Sequence, residues 1–482
     1  MRTLRGLILV VIVLLSVGFA SSTITFGHEW GDDFAWYIMQ AKSIVNGKTD
    51  ALIETGNFIN TRSTMSVGPD AYPWGYPIIL IPFIQSQGVD PIILKIPDML
   101  FYASFLLCLY ELMKTRLTQT ESLIAVSLFA FNPMLIKFQD HILSDIPFLF
   151  FSTLTLLLVQ QKQSNRLNAI WIGLSVFLTA FLRTTGILLL GSFLLVELFK
   201  LWEQRRNHAT ARRIITDGII VCSAFALPFL ASIILLPNGG ESYFSQYSAL
   251  SLESIRKFTV AYFYLFGEFF GKSTGQTFLY YFIFLLFLFG AWKRKKEDMF
   301  FILFSILWMI IHITWPYLQG ARFIFPLLPI FIYFAFQGTN AVIETLKHRQ
   351  EQGRYIFYAF WLLVTAMLLY GSISQAHDNL QRERRIGGPF DPFTKQVYAY
   401  VKQKTPSDSV IVFFKPRVMT LMTDHLSIMS TKCDRLLTGD YVVISKKDGS
   451  NQQIPPNEIS NCNAPLNKVF QNLRFIIYKV DK

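Results

Sequence analysis

Eleven stretches of this chain are too apolar and too long to be left in water, and their spacing limits the fold more than any single motif. A helix that crosses a bilayer needs about 17–25 predominantly apolar residues. Such stretches lie near 7–22, 93–113, 120–137, 145–161, 168–182, 184–201, 214–236, 278–292, 299–315, 322–338 and 355–373. They predict an all-α polytopic membrane protein with about eleven transmembrane helices. Composition points the same way. Only 16% of the 482 residues are charged, against 52% hydrophobic, and there are 46 Phe. Soluble domains carry about 25% charged residues, so much of this apolar surface must face lipid.

The net charge of +12 would raise nucleic-acid binding in a soluble protein, but no basic patch here carries the interleaved aromatics or fold motif that binding needs. Membrane topology explains the charge instead. With the N-terminus inside, the loops 114–121, 160–168, 200–213, 292–298 and 347–354 are cytoplasmic. They hold the dense basic runs Arg205-Arg206, Arg212-Arg213 and Lys293-Arg-Lys-Lys296. The opposite loops carry few and isolated cations, as the positive-inside rule requires. The expected location is the plasma membrane, with 23–92, 138–144, 183–186, 237–277 and 316–321 on the extracytoplasmic side.

Residues 1–22 also resemble a signal peptide, with Arg2 and Arg5 ahead of the apolar run and small residues at its end. We read them as a retained anchor; on either reading residue 23 onward faces outward. Residues 1–373 then form a transmembrane domain with long outer loops at 23–92 and 237–277. Residues 374–482 switch to soluble composition, and Ser409–Phe414 and Tyr441–Ser445 read as short strands. They predict a small extracytoplasmic α/β domain. Cys433 and Cys462 both fall in it, and a bridge between them would need an oxidising compartment. Cys108 and Cys222 lie in apolar runs and read as inert.

The candidate chemistry lies in the outer loops. Asp32 and Asp33 precede a segment with one apolar helical face (Phe34, Tyr37, Ile38, Ala41), which with Trp36 predicts a helix lying in the membrane interface. A helix N-terminus favours one capping carboxylate; two adjacent ones just beyond a span suit chemistry on a lipid-borne substrate. Asp140-His141 and Ser144-Asp145-Ile-Pro147 open the fourth span. Asp145 reads equally as an N-cap or as a second acid, with His141, for an acceptor or a divalent cation. Arg183 and Arg322 stand at span ends on the same face. There they either snorkel to headgroups or bind a phosphate. Tyr72-Pro-Trp-Gly-Tyr-Pro77 predicts an interfacial or re-entrant segment with belt or pocket aromatics. His312 reads as structural.

Taken in order, these motifs resemble the C-type (GT-C) glycosyltransferases. The nearest groups are bacterial relatives of the protein O-mannosyltransferases (family 39) and of the lipid A aminoarabinose transferases. The likeness covers about residues 1–340 and includes Asp32-Asp33, Tyr72-Pro-Trp-Gly-Tyr-Pro77, Asp145-Ile-Pro, Arg183-Thr-Thr-Gly and Arg322-Phe-Ile-Phe-Pro-Leu-Leu-Pro329. It implies inverting transfer of a hexosyl or pentosyl group from a polyprenyl-phosphate donor to a glycan, lipid or protein acceptor outside the cytosol. Asp32 would be the catalytic base and Asp33 the second acid of the pair, a position often occupied by Glu. Asp145 and His141 would position acceptor or metal. Arg183 and Arg322 would meet the donor phosphate, and Tyr72, Trp74 and Tyr76 would line the donor pocket.

A transporter or flippase of a lipid-linked saccharide is the alternative, and a scaffold that recruits a partner through 374–482 is a third. Against transport, Lys95, Asp98, Glu111, Glu197 and Asp217 fall near span ends, whereas a secondary transporter places its charged site near the midplane.

Overall fold

The computed structural model describes residues 2–161, 166–237, 251–315, 317–318, 320–345, 349–448, 451–462 and 464–481. The loop expectations at 160–168, 237–277, 316–321 and 347–354 therefore lie partly outside the described residues. In chain order the helices are α1 (Arg2–Thr23), α2 (Asp33–Val45), α3 (Thr49–Arg62), α4 (Gly75–Gln87), α5 (Pro91–Lys114) and α6 (Gln119–Ala130). Next come α7 (Pro133–Phe138), α8 (Asp145–Gln160), α9 (Arg166–Leu182), α10 (Ile187–Glu203), α11 (His208–Leu235) and α12 (Leu252–Gly267). The series continues with α13 (Thr274–Lys293), α14 (Met299–Thr314), α15 (Leu328–Thr345), α16 (Gln350–Gln381), α17 (Pro392–Lys404) and α18 (Pro416–Thr423).

Among the described residues, seven helical segments are long and apolar enough to cross a membrane, and α8, α9 and α14 are shorter apolar helices. The stretch expected as one span over 120–137 is broken. Asn132 caps α7, its side chain accepting from the Met134 and Leu135 amides, and Pro133 takes the first helical position. A residue before proline is disfavoured in helix, and the Asn side chain supplies the acceptor that starts the next one. The tightest crossing pairs α13 with α15. A Cβ at Gly290 would lie 1.9 Å from the Phe334 carbonyl, and one at Gly338 would lie 1.9 Å from that of Leu286. Only hydrogen fits at either point.

α2 does not expose its aromatics as an interfacial belt would. Trp36 is fully buried and Tyr37 nearly so, because α2 packs beneath α4 and α18. The Trp36 indole donates to the Asp70 carbonyl at 3.0 Å. The boundary expected at 373/374 falls inside α16, which runs to Gln381 before Glu383 and Arg384 turn the chain with positive φ.

The C-terminal domain is a five-stranded mixed sheet, in the order β2 (Ser427–Ile428), β1 (Ile411–Val412), β3 (Tyr441–Ser445), β5 (Phe475–Val480), β4 (Leu466–Gln471). β1 runs parallel to both β2 and β3, while β5 runs antiparallel to β3 and β4. β3 covers the strand expected at 441–445, whereas that at 409–414 shrinks to two paired residues. Cys433 and Cys462 are disulfide-bonded.

This domain does not hang free. Val397, Phe413, Phe414, Val418 and Phe475 join the same apolar core as the transmembrane helices. Thr64 N donates to Met429 O at 2.9 Å, and Met429 N donates to Ser63 Oγ at 2.9 Å. The last turn of α16 is stitched to the end of α1 and the chain leaving it, with Asn379 Nδ2 donating to the Ser22 and Ile24 carbonyls. At Gly388 a Cβ would stand 2.1 Å from the His28 carbonyl, so the linker and the loop after α1 touch backbone to backbone.

Candidate functional site

The loop after α1 runs over a buried clamp. Lys95 of α5, fully buried, donates from Nζ to the Thr25 and Gly27 carbonyls at 3.0 and 2.6 Å and pairs with Asp140 at 2.7 Å. Asp140 in turn accepts from the Thr25 amide at 2.7 Å. A buried cation without such partners would be costly; here its contacts fix the chain just ahead of the acids. His28 follows, stacked on Phe34 at 4.1 Å. Its Nε2 accepts from the Ile142 amide at 3.1 Å, so Nδ1 carries the proton and donates to the Glu29 carbonyl at 2.7 Å. Burial and the neighbouring His141 push the imidazole down to about 3. His28 is therefore a neutral strut.

A cavity of about 330 Å³ opens beside this loop, lined by residues that include His28, Glu29, Asp32, Asp33, His141, Arg322 and Lys415. Asp32 occupies the N-cap position of α2, yet its side chain makes no capping bond. Oδ2 lies 3.5 Å from Lys415 Nζ, and Oδ1 is buried with no hydrogen-bond partner. Burial raises its carboxyl above the usual range, and Lys415 and Arg417 only partly oppose that.

Asp33 is held quite differently. Oδ1 accepts from the Tyr72 hydroxyl at 2.8 Å, and Oδ2 accepts from both Arg322 guanidinium nitrogens at 3.1 Å. Burial would raise this acid too, but Arg322, the Tyr72 bond and Arg417 outweigh it and keep the carboxyl below its ordinary range. Neighbouring acids with opposed environments divide into a group that can take a proton and one that stays ionised.

Asp145 stands at the start of α8, but it does not cap. The N-cap is Ser144, and the Asp145 carboxylate accepts from Arg183 and lies 3.8 Å from Arg322 Nη1. Arg322 thus links the acids of two loops that lie far apart in sequence. Arg183 also stacks over Phe323 at 4.3 Å. Both arginines expected to meet a phosphate are held by carboxylates here.

His141 does not join Asp145; its Nε2 faces Glu29 Oε2 at 3.5 Å. His141, with Lys137 beyond it, holds the Glu29 carboxyl down to about 2 against burial. The expected divalent cation does not fit these residues. Asp145 is engaged by two guanidinium groups, and among the described residues no group of three or more His, Cys, Asp or Glu comes together.

Of the three pocket aromatics, only Tyr72 reaches the acids. The Trp74 indole donates to the Pro237 carbonyl at 3.0 Å, and Tyr76 is buried with its hydroxyl 2.8 Å from Asp98. His312 is structural, stacked on Trp308 at 4.5 Å with Nδ1 2.8 Å from the Trp308 carbonyl.

Four residues at the site were not singled out from sequence: His28, Glu29, Lys415 and Arg417. The signal for the last two was the Lys415-Pro-Arg417 turn directly after a strand, with Pro at the first position of a helix. Fully buried, Arg417 stacks 4.5 Å over Trp36, and it donates to the Pro69 carbonyl at 2.6 Å and to the Tyr72 hydroxyl at 3.3 Å.

A family model for dolichyl-phosphate-mannose-protein mannosyltransferase matches residues 82–231, a stretch that contains Asp145 and Arg183. No curated protein matches the sequence. Among solved structures, ArnT from Cupriavidus metallidurans bound to undecaprenyl phosphate superposes with a TM-score of 0.62 at 12% identity, over 97% of each chain. AglB, the oligosaccharyltransferase of Archaeoglobus fulgidus, in complex with an inhibitory peptide and a dolichol-phosphate, gives a TM-score of 0.58 at 11% identity. That match covers 88% of this chain and 64% of AglB. The mycobacterial arabinofuranosyltransferase AftD gives 0.54 at 13%, over 98% of this chain and 40% of its own. The likeness to ArnT extends through the C-terminal domain, well past residue 340 where the sequence motifs end.

Proposed function

The chain has the GT-C fold of the polytopic membrane glycosyltransferases, and from that premise we propose that it transfers a sugar from a polyprenyl-phosphate donor to an acceptor, with inversion. The observation that carries this reading is the division of labour in the acid pair. Asp32 keeps one buried oxygen without a partner beside a polar cavity, while Asp33 is pinned by Arg322 and Tyr72. A base must be free to accept a proton, and a raised proton affinity helps it do so. Asp32 has an unpartnered oxygen and a carboxyl raised by burial, whereas Asp33 has neither.

In the proposed step an acceptor hydroxyl or amine attacks the anomeric carbon as its proton passes to Asp32 Oδ1. The bond from the anomeric carbon to the phosphate oxygen breaks, and polyprenyl phosphate leaves as an anion that needs no protonation. General-base help of this kind contributes typically about 10²–10⁴-fold. Arg322 and Arg183, which meet at Asp145, are the guanidinium groups suited to the charge that builds on the leaving phosphate. No step requires a metal ion. The Cys433–Cys462 bridge and the cation-poor outer loops support an extracytoplasmic location for the cavity, in the plasma membrane of a bacterium.

The test is to incubate the purified full chain with a panel of polyprenyl-phosphate sugars and measure released polyprenyl phosphate. Asp32→Asn is expected to bind donor and lose turnover by about 10²-fold or more. Turnover retained in that variant would remove Asp32 as base. Donor moved across proteoliposomes without bond breakage would replace the transferase reading by the flippase one.

A further inference from the structure

Among the described residues, the turn between β1 and α18 is the part of the C-terminal domain that reaches the acids, and it is keyed into the transmembrane domain on both sides. Phe413 and Phe414 pack edge-on against Trp30, with centroids 5.9 and 4.8 Å apart. Trp30 lies two residues before Asp32 on the same loop. On the other flank Arg417 is locked over Trp36 of α2 and bonded to Tyr72. Lys415 stands between these two anchors, with Nζ 3.5 Å from Asp32 Oδ2. Met429 and Gln452 of the same domain complete the cavity wall. A domain joined only by its linker would not set one ammonium against one carboxylate with an aromatic anchor on either side.

We infer that Lys415 is a positioning residue of the transfer reaction, occupying Asp32 Oδ2 so that Oδ1 is the oxygen left for the acceptor's proton. The C-terminal domain is then half of the reaction centre and not an appendage. The inference rests on Asp32 being the base. The other charges facing Asp32 are few. Arg417 attracts it from α18, and Asp33 repels it from α2. Arg322 is engaged by Asp33, Glu29 by His141 and Lys137, and His28 is neutral. Lys415 is therefore the cation nearest the base. An opposite charge within about 4–6 Å lowers a carboxyl by about 1–3 pH units. Without it, burial and Asp33 would be opposed by Arg417 alone, and the base would stay protonated to a higher pH.

Two measurements test this, the first independent of turnover. A zero-length carbodiimide, which joins a carboxylate to an amine in contact, is applied to the full-length protein, and the digest is read by mass spectrometry. An amide between Asp32 and Lys415, lost in Lys415→Arg, is expected; its absence overturns the contact whether or not any sugar donor is found. The second is the pH profile of kcat/KM with whichever polyprenyl-phosphate sugar the wild type turns over. Lys415→Met should move the acid limb up by about one pH unit, lowering kcat/KM about tenfold on the acid side, and Lys415→Arg should move it back. A limb that stays put in Lys415→Met overturns the positioning role. If Asp32→Asn keeps its turnover while the crosslink forms, the base assignment has failed and the Asp32–Lys415 contact stands.

Discussion

Replacing Arg322 by Gln would strip the acid cluster of the guanidinium that ties its two loops together. Both terminal nitrogens lie 3.1 Å from Asp33 Oδ2, and one is 3.8 Å from Asp145 Oδ2. Asp145 keeps Arg183 after the change, whereas Asp33 keeps only the Tyr72 hydroxyl and the field of Arg417. Breaking a fully buried pair costs about 3–5 kcal/mol, and an exposed pair is worth about 0–1 kcal/mol. Here Arg322 and Asp33 retain 26% and 29% exposure, so solvent screening places the loss between those limits, at about 2–3 kcal/mol. For a chain of 482 residues an unfolding entropy of about 2.1 cal/mol/K per residue makes this about 1 °C per kcal/mol, so the melting temperature should fall by about 2–3 °C.

The pH dependence separates lost charge pairing from lost packing. In the wild type Asp33 is held below the ordinary value of about 3.9. Its stabilising contribution is complete above that value and disappears only as pH falls through the lower native one. In Arg322→Gln burial prevails and the native carboxyl rises above the unfolded value. The sign then reverses, and acidification relieves the defect by protonating the stranded acid. The destabilisation should be smaller at pH 5 than at pH 8, and Asp33→Asn added to Arg322→Gln should recover part of it. Melting curves of the four proteins of this cycle, in detergent at both pH values, decide the matter. Equal loss at the two pH values, or additivity of the two substitutions, would refute the charge argument.

Tyr72→Phe keeps the ring but removes the hydroxyl that donates to Asp33 at 2.8 Å and accepts from Arg417 at 3.3 Å. Turnover should fall about tenfold, or 1.4 kcal/mol, with the melting curve little changed; an unaltered kcat would detach Tyr72 from the site. The Cys433–Cys462 bridge spans 29 positions, for which loop entropy predicts about 3.5 kcal/mol of stabilisation. Dithiothreitol should lower the melting temperature of the wild type and leave a Cys433→Ser/Cys462→Ser variant unmoved, and a wild type indifferent to reductant would show the bridge does not stabilise the domain.

The helical architecture was legible because lipid imposes a length and polarity on each crossing that survives without neighbours. Each of the eleven apolar stretches overlaps a helix, and the chief irregularity, at Asn132-Pro133, carries a local chemical mark. The placement of α2 was not legible. Its Trp36 and Tyr37 have the composition of an interfacial belt, yet Trp36 is covered by Asp70 and by Arg417 of α18, more than 370 residues later in the chain, and Tyr37 packs against Tyr72 and Tyr76. Likewise Arg183, Arg322 and Asp145 could be singled out as ionisable groups at span ends, but that they pair with one another is a fact of tertiary packing. Trp74 and Tyr76 share a motif with Tyr72, yet their polar atoms face Pro237 and Asp98 because a helix begins within the motif and turns successive side chains apart.

The same geometry explains why an acidic dipeptide can hold two different roles. Consecutive residues entering an α-helix diverge by about 100°. Asp32, at the N-cap, is turned toward the β1–α18 turn of the C-terminal domain. Asp33, the first helical residue, is turned toward Tyr72 and the Arg322 segment. Chemically identical, the two acids meet one ammonium at 3.5 Å in the first case and a guanidinium fork plus a phenol in the second. Their proton affinities separate in opposite directions as a result. On the proposed mechanism Asp32→Asn should therefore be a turnover defect in a stable protein. Asp33→Asn should be mainly a stability and donor-binding defect, because it frees Arg322 from the carboxylate that orients it. Were the two variants to show the same defect, the division of the pair by helix geometry would be wrong, even with every distance in the cluster correct.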